Sequence, residues 1–193
     1  MQDSLTDHVD RRPDRHVAVG AHSPSIAPLP TPPDWFAVRT RARAEKNVRD
    51  ALAGKGLEVF LPTLAKWSRW KDRKKLVDWP LFPGYVFCQF ELASHAAVVI
   101  CSRVIDVVSF AGSLAPIPVH EIESLRTLMA SQLKFDPAPH LKEGALTEVL
   151  HGPLKGVVGR LVRKAGRARL FLSVDLIGQS ASVEVDAADV RPY

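Results

Sequence analysis

Short apolar runs alternate with polar ones along most of this chain, and in two places the apolar spacing lengthens to that of a helix. Trp35-Phe36-Ala37-Val38 predicts a first strand. Behind it, Ala44, Val48, Ala51 and Leu52 recur at i, i+4, i+7 and i+8, which predicts an amphipathic helix over 41–52, stopped by Gly54 and Gly56. Glu58 to Leu64 reads as a strand. Lys71-Asp72-Arg73-Lys74 reads as the turn of a hairpin whose flanks are 66–70 and 75–79. Pro80 and Pro83 precede a strand over Gly84–Phe90, Ser94–Cys101 forms a short helix, and Ile105–Phe110 another strand. After Pro118, the spacing of Ile122, Leu125, Leu128, Met129 and Leu133 predicts a longer helix.

The texture then changes. From Gly144 onward, Val149, Val157, Val158, Val162, Phe171, Leu172, Val174, Leu176, Ile177, Val183 and Val185 fall in short β-branched runs. Gly152-Pro153, Ala165-Gly166-Arg167 and Gly178-Gln179 separate them. Such runs with frequent turn signals predict a small antiparallel barrel. The fold class is therefore α+β: an α/β sandwich of antiparallel sheet and helices over 34–134, then a small SH3-like β-barrel over 144–193. Residues 135–143, with Pro137 and Pro139, are expected to be a linker. Residues 1–33, polar and increasingly Pro-rich, have little to bury and are expected to form a flexible tail.

Charge sharpens this picture. The chain of 193 residues has a net charge of +5, but residues 35–79 alone carry twelve basic and five acidic side chains. Residues 1–34 carry three basic and five acidic, and 80–193 eleven of each. A basic surplus confined to 45 residues points to a polyanion, with a solvated basic face as the alternative.

Other chemistries find little support. The seven histidines are scattered, and His120 with Glu121 and Glu123 matches no metal-ligand or acid–base spacing. With no phosphate-binding glycine loop and no nucleophile motif, a non-enzyme without cofactor or metal is expected. Cys88 and Cys101 have no metal spacing, and Cys88 lies in an apolar run, as a buried structural thiol would. No stretch approaches the apolar length of a membrane span and residues 1–33 hold no apolar h-region, so a cytoplasmic protein is expected, read also as a monomer.

Two stretches carry a family resemblance. Pro80-Leu-Phe-Pro-Gly-Tyr-Val-Phe-Cys-Gln-Phe90 resembles the FPGYV signature of the NusG N-terminal domain. A Trp-Phe first strand and a helix containing Glu45 precede it, and Val107-Val-Ser-Phe-Ala-Gly112 follows it, as in that family. Val149-Leu-His-Gly-Pro-Leu-Lys-Gly-Val-Val-Gly159 resembles a KOW motif, and 174–186 is similar to the second half of that barrel. The Leu-Phe-Pro-Gly-Tyr form looks closest to specialised paralogues of the UpxY and RfaH kind, with the housekeeping factor as the alternative.

The resemblance implies a transcription elongation and antitermination factor that binds RNA polymerase and modulates pausing and termination. It implies that Phe36, Phe82, Pro83, Tyr85, Phe87 and Phe110 lie in or beside a depression for the clamp of the polymerase's largest subunit. Plain core is the competing reading of these residues, while Trp79 is read as packing. By the same resemblance, Arg39, Arg41, Arg43 and Arg103 approach the non-template DNA strand. Lys71, Arg73 and Lys74 on the hairpin, interleaved with Trp67 and Trp70, touch DNA or rest on polymerase or upstream DNA. In the barrel, Leu154 and Ile177 resemble contact positions for a small-subunit ribosomal protein or Rho. Gly152 and Gly159 are expected at turn and bulge positions. The alternative function is a ribosome- or RNA-associated KOW-domain binding protein.

Overall fold

A computed structural model describes residues 32–69, 73–140, 144–164 and 166–193. The Pro-rich segment 1–31 and Lys71, at the expected hairpin turn, lie outside the described residues.

The N-terminal part is built on a four-stranded antiparallel sheet. In chain order its elements are β1 (Asp34–Thr40), α1 (Glu45–Ala53), β2 (Glu58–Phe60), the hairpin β3 (Thr63–Arg69) and β4 (Lys74–Pro80), β5 (Tyr85–Phe90), α2 (His95–Val99) and β6 (Val104–Val107). A small hairpin, β7 (Ser109–Phe110) and β8 (Ser113–Leu114), follows, and then α3 (Val119–Ala130). The sheet order is β2-β5-β1-β6, and β3-β4 is a separate two-stranded ribbon.

Period-two alternation sorts the sheet residues onto two faces. Phe36, Val38, Val86, Cys88, Phe90 and Val107 face one way and pack with Val48 and Leu52 of α1 and Val98 of α2. Trp35, Ala37 and Phe87 face the other way and pack with Ile122, Leu125 and Leu128 of α3. Burial and the neighbouring Cys101 push the Cys88 thiol up to about 12.

The helix expected over 41–52 starts only at Glu45, because Arg43 adopts φ 60 and ends any earlier helical turn. The strand expected over 58–64 splits at Leu61-Pro62, where Pro62 offers no N–H to continue the ladder.

The C-terminal part is a six-stranded antiparallel sheet of order β14-β10-β11-β12-β13-β9. It comprises β9 (Phe135–Pro139), β10 (Ala145–Val149), β11 (Val158–Lys164), β12 (Arg167–Val174), β13 (Gln179–Val185) and β14 (Val190–Pro192). Alternate residues of β12 (Ala168, Leu170, Leu172 and Val174) are buried. Residues 135–139, expected within a linker, instead pair with β13 as an edge strand, Pro137 facing Ala181 and Pro139 facing Gln179. Proline lacks an N–H, so it is tolerated at a sheet edge and nowhere deeper.

The two parts share one apolar core. Val149, Leu154, Val157, Leu170, Leu172, Val174, Ala181 and Val183 of the barrel form a single cluster with Phe82, Phe87 and the buried face of α3. Thus α3 lies between β1 and β12, with a layer of β structure on either side.

Candidate functional site

The Phe82-Pro83-Gly84-Tyr85 stretch folds as a tight turn: Tyr85 N–H donates to the Phe82 carbonyl at 3.2 Å, and Gly84 has φ +85. Proline before a positive-φ glycine is the chemistry of a type II turn. Two bonds anchor it. Thr40 N–H donates to the Gly84 carbonyl at 2.8 Å. Gly84 N–H donates to Oε1 of Glu45, also at 2.8 Å, and Glu45 is only 5% exposed. The turn is thereby held against both the end of β1 and the first turn of α1.

The anchored turn forms one wall of a groove of about 1010 Å³. Pro83 and Tyr85 line that wall, Val77, Trp79 and Pro80 of the hairpin line the other, and Ile105 lies at the end. Arg39, Arg43 and Lys46 also line it, together with two acidic residues, Glu45 and Asp78. A mainly apolar trough with charged residues around it suits a protein helix or extended segment.

The six residues expected to face polymerase divide. Pro83 and Tyr85 line the groove. Phe110 is 78% exposed, at a hairpin tip where Ala111 (φ 51) and Gly112 (φ 82) form the two-residue loop. Phe36, Phe82 and Phe87 are core residues, none more than 1% exposed. Strand alternation puts Phe36 on the α1 face, its ring 4.6 Å from that of Phe90. Phe82 and Phe87 meet edge to face at 6.0 Å beneath α3. Phe82 and Phe87 pack beneath the turn and Phe36 lies in the core on the other face of the sheet, so none of the three offers surface of its own in this conformation.

The arginines also divide. Arg39 is committed to a two-bond ion pair with Asp106, at 3.0 and 2.6 Å. Arg41 and Arg103 are brought side by side, Arg41 N–H donating to the Arg103 carbonyl at 2.9 Å. Arg43 (φ 60) and Arg103 (φ 72) both hold a left-handed backbone that a bulky residue adopts only at a cost. Among the described residues, Arg41, Arg43 and Arg103 form no ion pair with a carboxylate. Arg73 and Lys74 are exposed on the ribbon, whose outer face pairs Trp67 with Leu76.

In the barrel, Leu154 does not stand at a loop tip. It is 1% exposed, because Gly156 N–H bonds back to the Val149 carbonyl at 2.8 Å and folds the loop inward. Ile177 is half-buried against the shared core. Gly152 has φ 81, and at Gly159 a Cβ would meet the Phe171 carbonyl oxygen at 2.7 Å. Arg167 and Arg169 are drawn to Glu184 and Asp136, at 3.6 and 3.5 Å.

The sequence reading missed Val77, Trp79 and Ile105 as groove residues. Trp79, taken for packing, is 48% exposed. The usable signal was alternation along β4, which puts Val77 and Trp79 on one face of the ribbon.

The family model described as "Transcription termination factor nusG" matches residues 33–126. The "Transcription termination/antitermination protein NusG" of Lactococcus lactis is 26% identical over 175 residues, covering 81% of this chain and 91% of that protein. Its Thermus thermophilus counterpart is 26% identical over 178 residues, covering 81% and 97%. The structure described as "Domain interaction in Thermotoga maritima NusG" aligns at a TM-score of 0.48 and 20% identity, over 83% of this chain and 97% of that one. The family-model match and the two relatives support a transcription termination/antitermination factor, and proteins of that class are not enzymatic. The family model and these relatives support a NusG-family factor. Among the described residues, no helix is long and apolar enough to cross a membrane.

Proposed function

We propose that this factor binds RNA polymerase through the groove between the Phe82–Tyr85 turn and the β3–β4 ribbon, and that it modulates pausing and termination there. The groove carries this reading: a mainly apolar trough lined also by Arg39, Arg43, Lys46 and Asp78, on a turn pinned by Glu45. Its occupant is the clamp region of the polymerase's largest subunit. Arg41, Arg43 and Arg103, exposed together and free of ion pairs among the described residues, meet the non-template strand. The ribbon, with Trp67, Arg73 and Lys74, extends the contact toward upstream DNA.

The barrel engages a second partner, a small-subunit ribosomal protein or Rho, with Ile177 at its contact edge; Leu154 joins only if the loop turns outward. The factor works in the cytoplasm as a monomer and belongs with the specialised paralogues that serve chosen operons. Transcription through a defined pause site with polymerase from the same organism tests this reading. Pause lifetime changes with the wild-type chain and stays at its unassisted value with Tyr85→Ala. An equal effect of both proteins contradicts it.

A further inference from the structure

Cross-strand pairing gives the β3–β4 ribbon two faces of different character. One sets Leu64 against Trp79 and Lys66 against Val77, and the other sets Trp67 against Leu76 and Arg69 against Lys74. The groove accounts for Val77 and Trp79. It does not account for the Trp67 face, where Trp67 is 71% exposed and Leu76 is 50% exposed. Among the described residues, the Trp67 ring meets no other aromatic ring and no cation. Trp67, Ser68, Arg69 and Lys74 line a cleft of about 350 Å³.

Charge marks the same place. Arg69 and Lys74 stand directly opposite each other, and like charges so placed weaken a ladder. An anion lying over the pair removes that repulsion. Neither side chain forms an ion pair with a carboxylate among the described residues. Over 63–69 and 73–80 the ribbon carries the basic residues Lys66, Arg69, Arg73, Lys74 and Lys75 against one acid, Asp78. Asp78 stands opposite Ala65, toward the groove end of the ribbon.

We propose that this face holds one unpaired base of a DNA single strand, stacked on Trp67, with its flanking phosphates on Arg69 and Lys74. The inference rests on the reading that the ribbon reaches DNA, and narrows it to a strand that has been opened. A duplex keeps its base faces inside the stack, so an exposed indole finds no flat partner there. A melted strand offers one at every nucleotide. Residues two apart on a strand stand about 7 Å from each other, so a base on Trp67 leaves its phosphates within reach of Arg69 and Lys74. Leu76, directly opposite, supports the indole from the side. One indole and one leucine fall far short of the roughly 800 Å² per partner that a stable protein interface buries.

Anisotropy of labelled oligonucleotides mixed with the full chain, without polymerase, tests the site separately from the groove. Trp67→Ala should weaken binding of single-stranded oligothymidylate about fivefold or more, and Trp67→Phe, which keeps a ring, should recover most of it. Blunt duplex DNA and an abasic single strand should bind Trp67→Ala and wild type equally. Replacing Arg69 and Lys74 together by Gln should flatten the single-strand salt dependence by about 1.4 in log–log slope, about 0.7 for each phosphate.

Equal oligothymidylate affinity in wild type and Trp67→Ala overturns this inference alone. So does a loss that is as large with the abasic strand, or one confined to oligouridylate. A wild-type chain that binds none of the DNAs overturns the DNA-facing reading beneath it as well.

Discussion

Glu45 and Gly84 lie 39 positions apart in sequence, yet a buried carboxylate oxygen of the first accepts the backbone N–H of the second at 2.8 Å. Together with the Thr40–Gly84 bond, this contact ties the Phe82–Tyr85 turn, which lines the groove, to the first helix and the first strand. Replacing Glu45 by Ala leaves the Gly84 N–H without its partner, at a cost of about 1–3 kcal/mol. Glu45→Gln keeps an acceptor oxygen and should recover part of the loss. Denaturant midpoints of the two variants check this, and equal midpoints would contradict it.

Two glycines should respond differently to alanine. At Gly84 a Cβ meets nothing within 4 Å, so the cost is that of φ +85 alone, about 1 kcal/mol. At Gly159 the backbone φ is ordinary, but the Cβ meets a carbonyl oxygen at 2.7 Å and a leucine methyl at 2.8 Å. There the strands must part, at about 1–3 kcal/mol. Thermal unfolding of Gly84→Ala and Gly159→Ala ranks them, with Gly159→Ala expected to be the less stable.

Arg43 separates stability from function. It holds φ 60 with an exposed side chain, so Arg43→Gly relieves strain while removing a charge. Stability should be unchanged or raised by up to about 1 kcal/mol. Single-stranded DNA affinity should fall, with a shallower salt dependence. A variant that binds DNA as tightly as the wild type, with the same salt slope, would remove Arg43 from the interface.

Cys88 should be chemically silent in the folded chain. Its thiol is pushed up to about 12, so near pH 8 the thiolate is scarce. Alkylation followed by mass spectrometry should proceed at least about a thousandfold more slowly in native than in denatured protein. Rapid native labelling would mean that the sheet opens around it.

Much of this architecture could be read from the residues. The strand of Trp35–Val38, the helix stripe of Val48 and Leu52, and the Pro-Gly turn each follow from local pattern, because each obeys a rule of backbone geometry. What escaped depended on long-range packing. Phe36 and Phe87 look equally exposed in an apolar run, and only the sheet order β2-β5-β1-β6 with helices on both faces buries them. Leu154 sits between Gly-Pro and Lys-Gly, a loop-tip pattern, but the loop bonds back to Val149 and carries it inward. Pro137 and Pro139 suggested a linker because proline marks both linkers and edge strands. The pairing with β13 that distinguishes them joins positions 40 and 44 residues apart. The cleft that Glu121 and Asp175 both line has no local signature at all, since it joins a helix to a strand end from the other half of the chain.

Retention of core RNA polymerase on the immobilised full chain tests the central claim most directly. The wild-type protein is expected to retain polymerase. Tyr85→Ala combined with Trp79→Ala, which strips both walls of the groove, should lower retention at least about tenfold while leaving the fold intact. Retention equal to wild type in that double variant, or no retention by the wild type itself, would contradict the groove as the polymerase site.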